Sequence, residues 1–244
     1  MPEIVGLPFF GALACLAVVY LGAVMQATTG IGVGILSSPV LLLVDADFIP
    51  AGTLLSVLPL SAMVAWSDRR HIDRPGVTAA LIGRVPGVLV GAAVLAAVSD
   101  TTLALMVSTT VLLGVIVSLT SRRFAPTTAA LVAAGFGSGF TGTAVGVGGP
   151  PIALTYQHSD AAVMRATISL FFSVGSTFSA IVLALAGELG GRELALSAFL
   201  IPAVLLGLVT ARHFAAYLVG PAVRPVVLSL SAFSAIALLI RTIV

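Results

Sequence analysis

The sequence contains no lysine: all 11 of its basic side chains are arginine. Charge of either sign is scarce, at 8% of the 244 residues, against roughly 25% in soluble domains. That shortage excludes a water-soluble fold, which needs a charged surface. The single cysteine, Cys15, lies in an apolar run. It excludes an internal disulfide and reads as a small packed hydrophobe. Three histidines, His71, His158 and His213, fall at expected loop ends, and neither a Cys/His cluster nor an H-E-x-x-H pattern is present. No metal and no cofactor are therefore expected, and an intramembrane hydrolase would lack buried catalytic groups. The dinucleotide pattern G-x-G-x-x-G fails at Ile35, where glycine would have to follow Gly30 and Gly32. A nucleic-acid partner is not expected either. Near the N-terminus stands Glu3 instead of a basic region, and the apolar run that follows outlasts a signal peptide. It reads as a retained first helix.

What is there is apolar. Hydrophobic residues make up 59% of the chain, and the mean hydropathy is +1.20. This composition predicts an all-α polytopic membrane protein, with the lipid bilayer as its main partner. Apolar runs bounded by charge predict helices over 4–29, 39–44, 50–66, 77–98 and 101–120 in one half. In the other half they begin near 126 and continue with 150–157, 162–187, 194–211 and 222–242. Ser121-Arg122-Arg123 separates the halves, giving a first repeat over 1–121 and a second over 122–244. A full crossing takes about 20 helical residues. The stretch 126–157 is too short for two crossings, so it fits a hairpin of half-helices. The first half has a longer leading helix, and its break could instead join two full spans.

Two glycine-rich breaks interrupt these runs, at 26–39 and 138–151. Gly30 aligns with Gly142, Gly34 with Gly146 and Pro39 with Pro151, each pair 112 residues apart. Pro86 and Gly91 align with Pro202 and Gly207 at a spacing of 116, which implies a small insertion. Five segments per half is an odd number, so the second repeat is expected to be inverted relative to the first. Lipid cannot satisfy irregular backbone, which survives at membrane depth only inside protein or along a cavity. Paired breaks at matching positions point to a transport site.

Arginine placement orients the chain. One side carries Arg69, Arg70, Arg74, Arg122, Arg123, Arg165, Arg212 and Arg224; the other carries only Arg192 and Arg241, with Glu3, Asp45, Asp47, Asp100, Glu188 and Glu193. The arginine-rich side is expected in the cytoplasm, with both termini outside, in a bacterial cytoplasmic membrane.

The breaks suggest chemistry. Ser38-Pro39 reads as a helix start, serine as N-cap and proline at the first position, and Gly149-Pro150 or Pro150-Pro151 reads the same way. Helix N-termini present free N–H groups and a positive dipole end. Two of them, entering from opposite faces, could converge on a small anion. The candidate binding groups are Gly30, Gly32, Gly34 and Pro39 in one break and Gly142, Gly146, Gly148, Gly149 and Pro150 in the other. Hydroxyls would come from Thr28, Thr29, Ser37, Ser38, Thr141 and Thr143. The alternative is that these glycines only let helices pack closely. Arg84 is the one charge inside an expected span, and it either counters the substrate or snorkels to the cytoplasm. Arg165 reads as a solvated residue opening its helix. His158, after Tyr156 and Gln157, could gate or carry a proton. Gly83, Gly87 and Gly91 form a packing face, internal or at the seam of a homodimer.

On these paired Gly-x-x-x-Gly…Pro motifs, at 30–39 and 142–151 of two similar halves, the sequence resembles the TauE/SafE sulfite exporter family. The resemblance covers essentially the whole chain. It implies a bacterial membrane transporter of a small sulfur oxyanion, sulfite or an organosulfonate, usually exported. Thiosulfate-uptake relatives use cysteines along the path, and Cys15 lies outside both motifs. The reading is a secondary transporter, with an anion channel or an uptake permease as its alternatives.

Overall fold

In a computed structural model, described over residues 3–120, 126–218 and 223–243, the chain is almost entirely helical. A two-residue β-hairpin, β1 (Glu3–Ile4) and β2 (Leu7–Pro8), precedes the helices. It displaces the expected start of the first helix from residue 4 to Phe9, because Gly6 takes a left-handed turn and Pro8 an extended one. The first half then holds α1 (Phe9–Thr29), α2 (Val33–Val44), α3 (Ala51–Ser67), α4 (Arg74–Leu95) and α5 (Asp100–Thr120). The second holds α6 (Thr128–Val145), α7 (Gly149–Tyr156), α8 (Ala161–Leu185), α9 (Gly191–Leu218) and α10 (Val223–Ile243). The expected boundary between halves, at Ser121-Arg122-Arg123, lies outside the described residues.

Seven helices among the described residues are long and apolar enough to cross a membrane. At 1.5 Å per residue, the 12 residues of α2 and the 8 of α7 reach about 18 and 12 Å. A hydrocarbon core is about 30 Å thick. Neither short helix can cross alone, so neither break joins two complete spans.

The helices pair across the halves. α4 lies along α6, α1 along α9, α3 against α8 and α5 against α10. Gly83 and Gly87 set α4 against the backbone of α6 at Val132 and Phe136, and Gly91 faces Phe140. The small residues reciprocate, since Gly139 of α6 meets the Arg84 carbonyl. The glycine face of α4 is therefore internal, where close backbone approach replaces side-chain packing. Gly207 plays the same part for α9 against Tyr20 and Ala23 of α1.

Ion pairs close the two ends. Arg165 Nε donates to Asp68 at 2.6 Å, tying the start of α8 to the end of α3. At the other end Arg192 pairs with Asp45 and Asp47, tying the start of α9 to the end of α2. The arginine pattern assigns Arg192, Asp45 and Asp47 to one membrane face, and Asp68 adjoins Arg69 on the face assigned to Arg165. A membrane-impermeant thiol reagent should therefore label Asp47→Cys from outside and Arg70→Cys only after the membrane is opened. Outside labelling at position 70 and none at 47 would reverse the orientation. The companion loop at Arg123 lies outside the described residues.

Candidate functional site

Both breaks are built on a glycine in the left-handed region. Gly30 ends α1 with φ +90 and Gly146 ends α6 with φ +73. A side chain there would be strained, and these caps let a helix stop without β-branched or bulky neighbours giving way. Gly32 and Gly148 then cap the returning helices α2 and α7. These structurally equivalent glycines are 116 residues apart, not 112. The expected pairing of Gly30 with Gly142 is thus off by one helical turn. The spacing of these caps equals that of the Pro86 and Pro202 pair.

The expected start of α2 at Ser38-Pro39 is also wrong. α2 begins at Val33, and Pro39 lies inside it. The cause is Gln26, whose Oε1 accepts from the Val33 N–H at 3.1 Å. Its Nε2 donates to Ser61 of α3 at 3.3 Å. A side chain from the preceding helix thus does the work of an N-cap. In the second half, Gly149-Pro150 does open α7.

The two breaks meet. A Cβ added to Gly34 would lie 2.5 Å from the Gly146 carbonyl, and one on Gly149 would lie 3.4 Å from Ile31. Beside this crossing is a cavity of about 40 Å³. Volumes of this kind hold a few waters, so the space suits an ion of few heavy atoms. Among the expected site residues, Gly32, Gly34, Gly142, Gly146, Gly148, Gly149, Pro150 and Arg84 line it.

The remaining candidates are not in its wall. The Thr28 and Thr29 hydroxyls donate to the Met25 carbonyl, Ser37 to Val33 and Thr141 to Gly137. Those hydroxyls satisfy their own helices. Thr143 bonds Ser179 at 2.9 Å, and Ser179 in turn donates to Gly175. Gly30 packs on the backbone of Arg165, and Pro39 is buried within α2. Ser38 is buried with its Oγ unpartnered, near the space over Gly146.

Arg84 dominates the electrostatics. It is 1% exposed, so snorkelling is ruled out. Nη1 donates to Ser138 Oγ at 3.2 Å, and Ser138 donates to the Gly148 carbonyl at 2.6 Å. This relay anchors the guanidinium to the second break. Its carbon lies 4.7 Å from the Phe171 ring centre and 5.7 Å from that of Phe172. Gly175 leaves the room it fills. Nε has no hydrogen-bond partner. The ion pairs among the described residues go to Arg165 and Arg192, so no carboxylate neutralises Arg84.

The helix N-termini supply fewer donors than expected. Gln26 takes the Val33 N–H. Pro150 and Pro151 have no N–H to offer in the first turn of α7. Gly34 and Ile35 keep amides without intrahelical partners, as every helix start does. The cavity wall thus offers a full positive charge and a few amides.

Sequence reading missed Gln26, Thr53, Ser138, Phe172 and Ser176, which line the cavity or hold Arg84. One signal was legible: Gln26 is a lone carboxamide inside an apolar run, where an uncompensated amide is costly. The others are common residues of apolar helices, and nothing in the sequence marks them. Arg165, expected to be solvated, is instead paired with Asp68. Among the described residues there is no group of three or more His, Cys, Asp or Glu fit to hold a metal.

The family model "Sulfite exporter TauE/SafE" matches residues 15–238. A relative from Cupriavidus necator, named "Probable sulfite/organosulfonate exporter TauE", is 28% identical over 222 residues, covering 85% of this chain and 84% of the relative. No solved structure matches the chain.

Proposed function

We propose a transport cycle for this chain from one premise: it belongs to the TauE/SafE sulfite exporter family. It is a multi-pass protein of the bacterial cytoplasmic membrane, and its family is one of exporters. In the proposed cycle a small sulfur oxyanion enters from the cytoplasm and binds at the crossing of the two glycine breaks. Arg84 supplies the charge. The amides of Gly34 and Ile35 and the hydroxyl of Ser176 supply dipoles. The small cavity favours sulfite over bulkier organosulfonates.

The observation that carries this reading is the buried guanidinium of Arg84, which has a free Nε and no carboxylate. Burying a lone charge costs several kcal/mol or more. A protein keeps one where a ligand of opposite charge completes it.

Two halves related by an inverted repeat would provide the movement. Support comes from the packing: exchanging the halves maps the α4–α6 pair onto α9–α1, and maps α3–α8 and α5–α10 onto themselves. Rocking of one half on the other would expose the breaks to each side in turn. Residues 1–121 and 122–244 are the proposed halves. Catalysis plays no part in this cycle.

Reconstitution tests the reading. Proteoliposomes loaded with unlabelled sulfite should accumulate labelled sulfite against its gradient, with saturation. Sulfate and small sulfonates should compete to different degrees. A channel would instead pass anion current without counterflow. No movement of any sulfur oxyanion would overturn the proposal.

A further inference from the structure

The last turn of α1 separates two chambers. Gln26 faces the central cavity. Ala27 and Thr28, one and two residues later, face a second cavity of about 210 Å³. Ser67 and Asp68 from the end of α3, Arg165 from α8 and Arg212 from α9 line it as well. These are residues of the arginine-rich, cytoplasmic end. The first glycine break packs on a helix that lines this chamber, since a Cβ on Gly30 would sit 3.2 Å from the Arg165 Cα.

The wall carries two guanidinium groups against one carboxylate. Arg165 Nε donates to Asp68 Oδ2 at 2.6 Å, and the two side chains are 30% and 20% exposed. Arg212 is exposed and has no ion-pair partner among the described residues. The chamber therefore has a net positive wall, reachable from water. A partly exposed ion pair is weak and open to competition. A sulfur oxyanion can present Arg165 with a pair of acceptor oxygens, as a carboxylate does, with more charge if it is a dianion.

We infer that this chamber is a cytoplasmic loading site for the anion, in which Asp68 holds Arg165 until the cargo displaces it. Displacement frees the end of α3 from the start of α8 and loosens the backbone beneath Gly30. The cargo then has a path past Ala27 to the central cavity. The pair is both a stand-in ligand and a latch, so the chamber opens when cargo is present. This inference rests on the anion-transport reading above, but it concerns different residues.

Kinetics at the cytoplasmic face test it. Everted membrane vesicles expose that face, and labelled sulfite drawn into them reports export. Arg165→Gln should raise KM about tenfold, the loss expected for one charge-assisted contact. Asp68→Asn should lower KM several-fold, because the competing carboxylate is gone. A purely structural clamp would respond alike to both changes. Shifts in the same direction, or no shift in either, would overturn the inference.

A second measurement needs no transport. Cys15 is buried, so Ser67→Cys gives a single accessible thiol for maleimide. Methanesulfonate should slow its labelling, and should do so equally in a protein that also carries Arg84→Gln. Loss of protection with Arg84→Gln would place the anion in the central cavity alone and sink the loading site. Conversely, wild-type transport by Arg84→Gln would remove the central-site reading, and opposite KM shifts at Asp68 and Arg165 would still stand.

Discussion

Arg84→Gln will lose anion transport while the protein stays at least as stable as before. The two effects have opposite signs for one reason. Without cargo, Arg84 is a buried charge with one hydrogen bond to Ser138, two aromatic faces and an unpartnered Nε. Neutralising it relieves desolvation, an effective penalty of several kcal/mol per buried ion. With cargo, the same group is half of a buried ion pair, and removing one partner of such a pair costs about 3–5 kcal/mol. At 1.4 kcal/mol per decade, that is a loss of roughly two to three and a half orders of magnitude in affinity. A dianion should lose more than a monoanion. Arg84→Lys should recover part of the binding, because it keeps the charge and forfeits the planar fork. Calorimetric titration and thermal unfolding in detergent measure both halves. Equal affinities in wild type and Arg84→Gln across sulfite, sulfate and a monoanionic sulfonate would remove Arg84 from the site. A large fall in stability would show that its charge is already compensated.

Gly34→Leu and Gly146→Leu should each abolish transport. At Gly34 the obstacle is backbone, since the Gly146 carbonyl lies 2.5 Å from where Cβ would be. A carbonyl fixed in a helix cap cannot step aside as a flexible side chain can. The breaks would have to separate, and their crossing forms the cavity. Gly146→Leu adds left-handed strain of about 1–2 kcal/mol and a collision with the Thr53 hydroxyl. Overpacking of this kind costs typically 1–3 kcal/mol, less than a whole fold, so helical protein should still be recovered. Gly187→Ala is the control. Gly187 also has a positive φ, +81, but nothing lies within 4 Å of its added Cβ. It should show the backbone cost alone, with transport unchanged. Inserted, helical Gly34→Leu and Gly146→Leu proteins that transport normally would mean the cargo passes elsewhere.

The helical, membrane-spanning character of the chain was legible before any coordinates, as were the two breaks. Both follow from one rule: lipid offers no hydrogen bonds, so apolar runs must be helical and interruptions must be sheltered. That Arg192, Asp45 and Asp47 share one side was legible too, although their pairing, and that of Arg165 with Asp68, was not. The register of the breaks was not. A string with glycine at 30, 32 and 34 aligns with one at 142, 146, 148 and 149 in more than one way. Only the backbone dihedrals pick out Gly30 and Gly146 as the left-handed caps. Nor could local rules place the start of α2. Ser38-Pro39 is a good cap by composition, but Gln26 reaches across the turn and starts the helix at Val33. Capping propensities describe neighbours in sequence, and this cap is a contact between helices. The charge at the centre belongs to the tertiary structure as well. The sequence places Arg84 inside a span. Whether a carboxylate meets it there depends on which helices pack together, and α4 lies along α6, whose described residues contain no acid.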